Sequence, residues 1–275
     1  MYDMSYLKTA FALALGCFAV SAPTVADAAT QSAGPKPAVQ QRFVVVVDPG
    51  HGGTNDGCLG YDGDVHEKEI TLQMAEELAA ELTARLPHAK VHLTRTDDRT
   101  MTLAERVSVA NAAGADLFVS LHANASPDGT QSGFETYVLD AKASSLEAAR
   151  TARRENDAGL SSVVHGEAGT GSQVEAARML RQLHMTANRS RAAALAHAIQ
   201  RAQAGRFPTR SNRGVKQAPF DVLMGVRMPA VLFEAGFLDH AGEGAVLTDP
   251  QQRSEVVLGL ADAIVEHYRV TTRLK

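Results

Sequence analysis

Four residues carry the chemistry this chain offers, and each sits where an apolar run gives way to polar residues. His51 follows Phe43-Val44-Val45-Val46-Val47, inside the turn Asp48-Pro49-Gly50-His51-Gly52-Gly53. His122 closes Leu117-Phe118-Val119-Ser120-Leu121, and Glu234 closes Val231-Leu232-Phe233. A lone imidazole ending an apolar strand is ordinarily a core residue whose hydrogen bonds are satisfied. Two of them on one edge of one sheet have a different meaning, because they converge. Glu67 opens a helical segment three residues before Ile70, and so shares the inward face of Ile70, Met74, Leu78 and Leu82, which His66 and Glu69 do not. A carboxylate there can simply serve the helix N-terminus. It is equally placed to complete a His, Glu, His set of the kind that holds catalytic zinc with the fourth position left for water. Glu234 then supplies what metal-assisted hydrolysis needs besides the ion, a group that takes a proton from water and returns it to a leaving amine. Cys58 lies in the nearby glycine-rich loop and is read as a small structural residue rather than a nucleophile.

The elements that would position these residues alternate. The spacing predicts strands at Phe43–Val47, Lys90–Arg95, Asp116–Leu121, Gly133–Leu139 and Ala230–Phe233, and helices at Glu67–Leu86, Leu103–Ala113 and Pro250–Tyr268. Between Lys142 and Gln203 runs a long stretch of Ala, Arg and polar residues with helical character, interrupted near His165–Gly171, which suits a solvated helical insertion. The expected fold is a single α/β domain: a mostly parallel or mixed sheet of about six strands, flanked by helices on both faces, carrying that insertion at about 142–203. In such sheets ligands bind beyond the carboxyl ends of the strands, where all four residues fall.

Composition limits the partners. The formal net charge is −4 with Lys and Arg scattered along 275 residues, so no basic footprint for nucleic acid is present. Lys8 precedes the apolar run Thr9–Val20 and the small-residue stretch Ala26-Asp27-Ala28, the pattern of a cleaved secretory signal over residues 1–28. The run is short for a membrane span, so no stable membrane insertion is expected after cleavage. Leu15-Gly16-Cys17 partly mimics a lipid-attachment site, but the apolar run continues past it. Residues 29–41 read as a polar, proline-containing linker, leaving 42–275 as the catalytic domain. With Cys17 removed, Cys58 has no disulfide partner, and the exported protein must rely on its core.

Five strings in order make the chain similar to the zinc-dependent N-acetylmuramoyl-L-alanine amidases of the amidase-3 family. They are Val47-Asp48-Pro49-Gly50-His51-Gly52-Gly53, Glu67-Lys68, Ser120-Leu121-His122-Ala123-Asn124, Val215-Lys216-Gln217-Ala218-Pro219-Phe220-Asp221-Val222-Leu223 and Phe233-Glu234-Ala235-Gly236-Phe237. The resemblance spans about Arg42 to the C-terminus. It implies that His51, Glu67 and His122 hold Zn2+, that Glu234 is the catalytic glutamate, and that the substrate is peptidoglycan, cut between muramic acid and L-alanine in the periplasm, or after secretion. The residues alone leave a zinc amidohydrolase or peptidase of other specificity as the nearest alternative, while the presence of all four residues counts against an inactive wall-binding protein. The loop Thr54-Asn55-Asp56-Gly57-Cys58 departs from the Lys-Asp-x-Gly-Ala form more common in the family. Ser144-Ser145-Leu146-Glu147 and Arg153-Arg154-Glu155-Asn156-Asp157 resemble the blocking region of the cell-division branch, where an inserted helix covers the site until an activator protein, here expected to be of the LytM-like type, displaces it. On that resemblance Glu155 is the expected autoinhibitory zinc ligand.

Overall fold

A computed structural model describes residues 42–158 and 172–273. The expected signal peptide, the linker and the break at His165–Gly171 lie outside the described residues. Six strands form one sheet in the order β2-β1-β3-β6-β4-β5: β1 Val44–Pro49, β2 Lys90–Leu93, β3 Leu117–Asn124, β4 Phe134–Leu139, β5 Asn212–Ala218 and β6 Ala230–Phe237. All neighbours run parallel except β4 and β6, which are antiparallel, so the mixed sheet of the expectation is observed. β1, β3 and β6 are buried along their whole length, as their near-continuous apolar sequences require of strands covered on both faces.

The period-two alternation of each strand divides its side chains between two helical layers. Val45, Val47, Leu117, Val119, Val231 and Phe233 face a layer made by α1 (Glu67–Arg85), α4 (Ser172–Arg206) and α6 (Pro250–Arg273). Val46, Phe118, Tyr137 and Leu232 face the other way, toward α2 (Leu103–Ala112), α3 (Leu146–Ala158) and a 3-10 turn at Asp221–Leu223. α1 buries Ile70, Met74, Leu78 and Leu82 at helical spacing. α2 starts cleanly because Thr102 and Glu105 cap it reciprocally. A short α5, Ala241–Thr248, precedes α6.

Three expectations need correction. β3 and β6 run three to four residues further than Leu121 and Phe233, because their pairing continues through His122 opposite Glu234 and Asn124 opposite Phe237. His122 and Glu234 are therefore within strands rather than in loops after them, and Glu234 is held on both sides, by β3 and β4. The 142–203 segment is not one solvated insertion: Ala192, Leu195, Ala196 and Ile199 of α4 are buried in the core, and Gln200 donates to Thr136 at 2.8 Å. Its Ala and Arg content hid an apolar stripe at helical spacing. β5 and α5 were absent from the sequence-based set; β5 is a half-exposed edge strand of mostly polar residues, which carries no clear periodicity.

Candidate active site

The β1 turn is built around buried cations. Arg106 of α2 pairs with buried Asp48 at 2.7 Å and donates to the carbonyls of Pro49 and His51. Arg95 donates to the carbonyls of Pro49 and Gly50, and Thr71 of α1 to that of Gly50. Asp48 also accepts from Thr94 and Ser120, and although burial opposes its charge, Arg106 holds its carboxyl below the usual aspartate range. This scaffold keeps His51 in the left-handed region, φ 61°, a costly conformation for a non-glycine residue. The payoff is orientation: His51 Nδ1 faces Asn55 Oδ1 at 3.0 Å, which leaves Nε2 aimed inward. Asn55 thus gives the unusual loop sequence a role. Gly50 permits the close approach of the two histidines, since a Cβ there would lie 2.5 Å from the His122 ring.

Glu67 reaches over the sheet edge from the first turn of α1. Its Oε1 accepts from the Ala123 amide and its Oε2 from the Cys58 amide, both at 3.0 Å, so two backbone groups set its direction. The Cys58 thiol donates to the Ala123 carbonyl at 3.2 Å, and burial pushes its pKa up, away from nucleophilic chemistry. Cys58 is a structural residue of the loop.

His51 Nε2, Glu67 Oε1, His122 Nδ1 and an oxygen of Glu155 close a ring. Nε2 of His51 is 2.9 Å from Glu67 Oε1 and 3.2 Å from Glu155 Oε2; Nδ1 of His122 is 3.1 Å and 3.0 Å from the same two atoms. All four ligand atoms lie within 4.8 Å of one another, and all four residues are buried. Tetrahedral zinc with bonds of about 2.0–2.1 Å has ligand-to-ligand edges of about 3.3 Å, close to those separations. His51 Nε2 and Glu155 Oε2 are buried without a hydrogen-bond partner, aimed at the centre. Electrostatics agree. Burial would lower both histidines, yet Glu67 and Glu155 hold His51 well above its usual value, and Glu155 and Glu67 raise His122 to about 9. Glu155, despite burial, is held well below the carboxylate range by His122 and His51. A pocket that draws protons onto two buried imidazoles favours positive charge, and these donors fit a divalent metal.

Glu234 stands opposite His122 in the β3–β6 register, fully buried, with neither carboxylate oxygen hydrogen-bonded. Burial and the Glu155 charge push its pKa well above the ordinary value. One group near it was missed by sequence reasoning: Arg154, whose guanidinium donates to Glu155 Oε1, the Ala125 carbonyl and Asn124 Oδ1 and lies 3.8 Å from Glu234. Its adjacency to Glu155 was the only signal. The structure thus brings together His51, Glu67, His122, Glu155 and Glu234.

A cluster of donors that could hold a metal ion at the carboxyl edge of a doubly covered sheet, with a buried glutamate lacking hydrogen-bond partners beside it, fits a hydrolase of the α/β class. The family model for N-acetylmuramoyl-L-alanine amidases matches residues 45–266. The chain belongs to this amidase-3 family and is a peptidoglycan amidase. It is 30% identical to AmiA of Escherichia coli over 229 residues, 82% of this chain and 76% of that protein. It is 31% identical to AmiC of Neisseria meningitidis over 236 residues, 86% of this chain and 55% of AmiC. The solved catalytic domain of CwlV, an N-acetylmuramoyl-L-alanine amidase from Bacillus (Paenibacillus) polymyxa, superposes with a TM-score of 0.60 at 29% identity, covering 83% of this chain and 99% of that one.

Proposed function

We propose that this chain is a zinc enzyme of the periplasm that hydrolyses the amide joining the lactyl carbonyl of N-acetylmuramic acid to the L-alanine of the stem peptide, in remodelling at cell division. The observation that carries the proposal is the ring of ligand atoms from His51, Glu67, His122 and Glu155 beside Glu234, whose carboxylate has no hydrogen-bond partner. His51, Glu67 and His122 would hold the ion, which when bound supplies Lewis acidity toward a water and the scissile carbonyl. Glu234 accepts the proton of the attacking water and returns it to the leaving nitrogen. Burial and the neighbouring Glu155 charge raise its affinity for a proton, and departure of that charge would lower it.

Glu155 acts as the resting-state plug. It rides on α3, whose inward stripe Ala148, Thr151, Ala152 and Glu155 is buried against the sheet. A tethered carboxylate competes for an open coordination position at high effective concentration. A partner that lifts α3, expected to be of the LytM-like type, would open the site. Export by a signal at residues 1–28, ahead of a 29–41 linker, fits a wall substrate; among the described residues no helix is long and apolar enough to cross a membrane. Incubation of the exported form with purified peptidoglycan, followed by mass identification of the released peptides, tests the bond: free peptides beginning with L-alanine support it, and any other new N-terminus opposes it.

A further inference from the structure

α3 carries a second acid, the half-exposed Glu147, whose partners the hydrolytic chemistry does not use. Glu147 receives the guanidinium of Arg213 in a short ion pair and the Lys216 ammonium at 3.1 Å. Both cations also reach Glu135 of β4, which is fully buried: Arg213 Nε at 2.8 Å and Lys216 Nζ at 2.5 Å. Two positive groups therefore face one permanent carboxylate on the sheet side. Among the described residues, the second acid paired with these cations is Glu147 of α3.

The placement of these cations is built into β5. Residues three apart in a regular strand point to opposite faces. Here Phe134 pairs with Asn212 and Thr136 with Val215, so β5 holds one residue more than β4 over that interval. Gly214, with φ 79°, lies within this bulge. Bulges re-aim side chains and are frequent beside active sites. This one turns Arg213 and Lys216 to the same side.

Glu147, the partner of both cations, lines a cavity of about 360 Å³ together with Asn124, Gln131, Arg154 and Phe237 among others. Arg213 stacks 4.9 Å from the Phe237 ring and donates to Gln131, while Asn124 donates to Glu135. At its other end the cavity reaches Arg154, which clasps the Glu155 plug. Glu147 precedes Glu155 by eight residues, about 12 Å of helix rise. An extended peptide covers that length in three to four residues.

We propose that Arg213 and Lys216 form a subsite for a free carboxylate of the stem peptide, carried within three or four residues of the scissile amide, and that Glu147 occupies it in the resting enzyme. This rests on the peptidoglycan-amidase assignment. α3 then imitates substrate at two points, with Glu155 at the metal position and Glu147 at the peptide position, and productive binding requires both to leave.

The test pairs a soluble muramoyl peptide bearing free stem carboxylates with the same compound amidated at those carboxylates. The wild-type chain is expected to favour the free acid about tenfold in kcat/KM, chiefly through KM, as loss of one charge-assisted contact would give. In Lys216→Met the ratio of the two kcat/KM values should fall to about one. Equal use of both compounds by the wild type, or an undiminished ratio in the variant, overturns the subsite. Cleavage of neither compound even by Glu155→Gln, whose plug is removed, would instead contradict the amidase assignment, and a binding measurement then still decides the subsite. The free stem peptide should bind Glu147→Gln about tenfold more tightly than wild type, because its competitor is gone; equal binding overturns the subsite.

Discussion

Glu135 and Glu234 lie directly opposite one another on β4 and β6, and their surroundings drive them apart. Glu135 accepts from Tyr137 at 2.5 Å, Asn124 at 2.8 Å and both cations of β5, which against its burial keep it below the usual carboxylate range. Glu234 accepts nothing and is held well above that range. Neighbouring carboxylates with divergent proton affinity are how a fold separates a structural acid from a reactive one. Glu234→Gln should keep the fold and the metal while lowering turnover by about 10²- to 10⁴-fold. Activity and metal content of the purified variant check both halves.

Glu155→Gln should raise basal turnover in the absence of any activator. If the open state is populated to about 1–10% in the wild type, the gain is about 10- to 100-fold. Unchanged basal activity, with α3 still helical, would remove the plug from the account.

Asp48→Asn strands the Arg106 guanidinium, 2% exposed, without its counter-charge. Breaking a buried pair in this way costs about 3 to 5 kcal/mol, measurable by urea unfolding. The sign in pH follows from the lowered pKa of Asp48. Its contribution is full above roughly pH 4, the ordinary aspartate value, and is lost as pH falls through the lower folded value. The Asn variant should lack that part of the acid sensitivity.

Gly57 has φ 70°, and a Cβ there would lie 2.6 Å from Glu67 Cβ and 2.8 Å from the His51 ring. Gly57→Ala must push these two ligands apart while leaving the core untouched. Metal affinity should fall about 10- to 100-fold, the usual cost of disturbing ligand support. Metal titration monitored beside thermal unfolding separates this from loss of fold.

The proposed metal ligands and base were legible because each interrupts an apolar strand or sits on the inward face of a helix, and those periodicities are local. Pairing partners are not local. Nothing in Val231-Leu232-Phe233-Glu234 says that β6 lies beside β3 and continues its ladder to Phe237, which is what holds Glu234 rigidly opposite His122. β5 was hidden for a related reason: the extra residue at its bulge breaks the alternation that would have marked a strand. Arg154 and Arg213 owe their roles to groups in distant segments, and their own neighbourhoods resemble any solvated arginine.

The central claim is that the convergence of His51, Glu67 and His122 makes a metal amidase. Its most direct measurement is digestion of purified peptidoglycan by the exported form before and after a chelator, and again after zinc is restored. The expected result is release of peptides with L-alanine at their N-terminus, abolished by the chelator and recovered with zinc. Undiminished release in a metal-free sample of confirmed composition would contradict it.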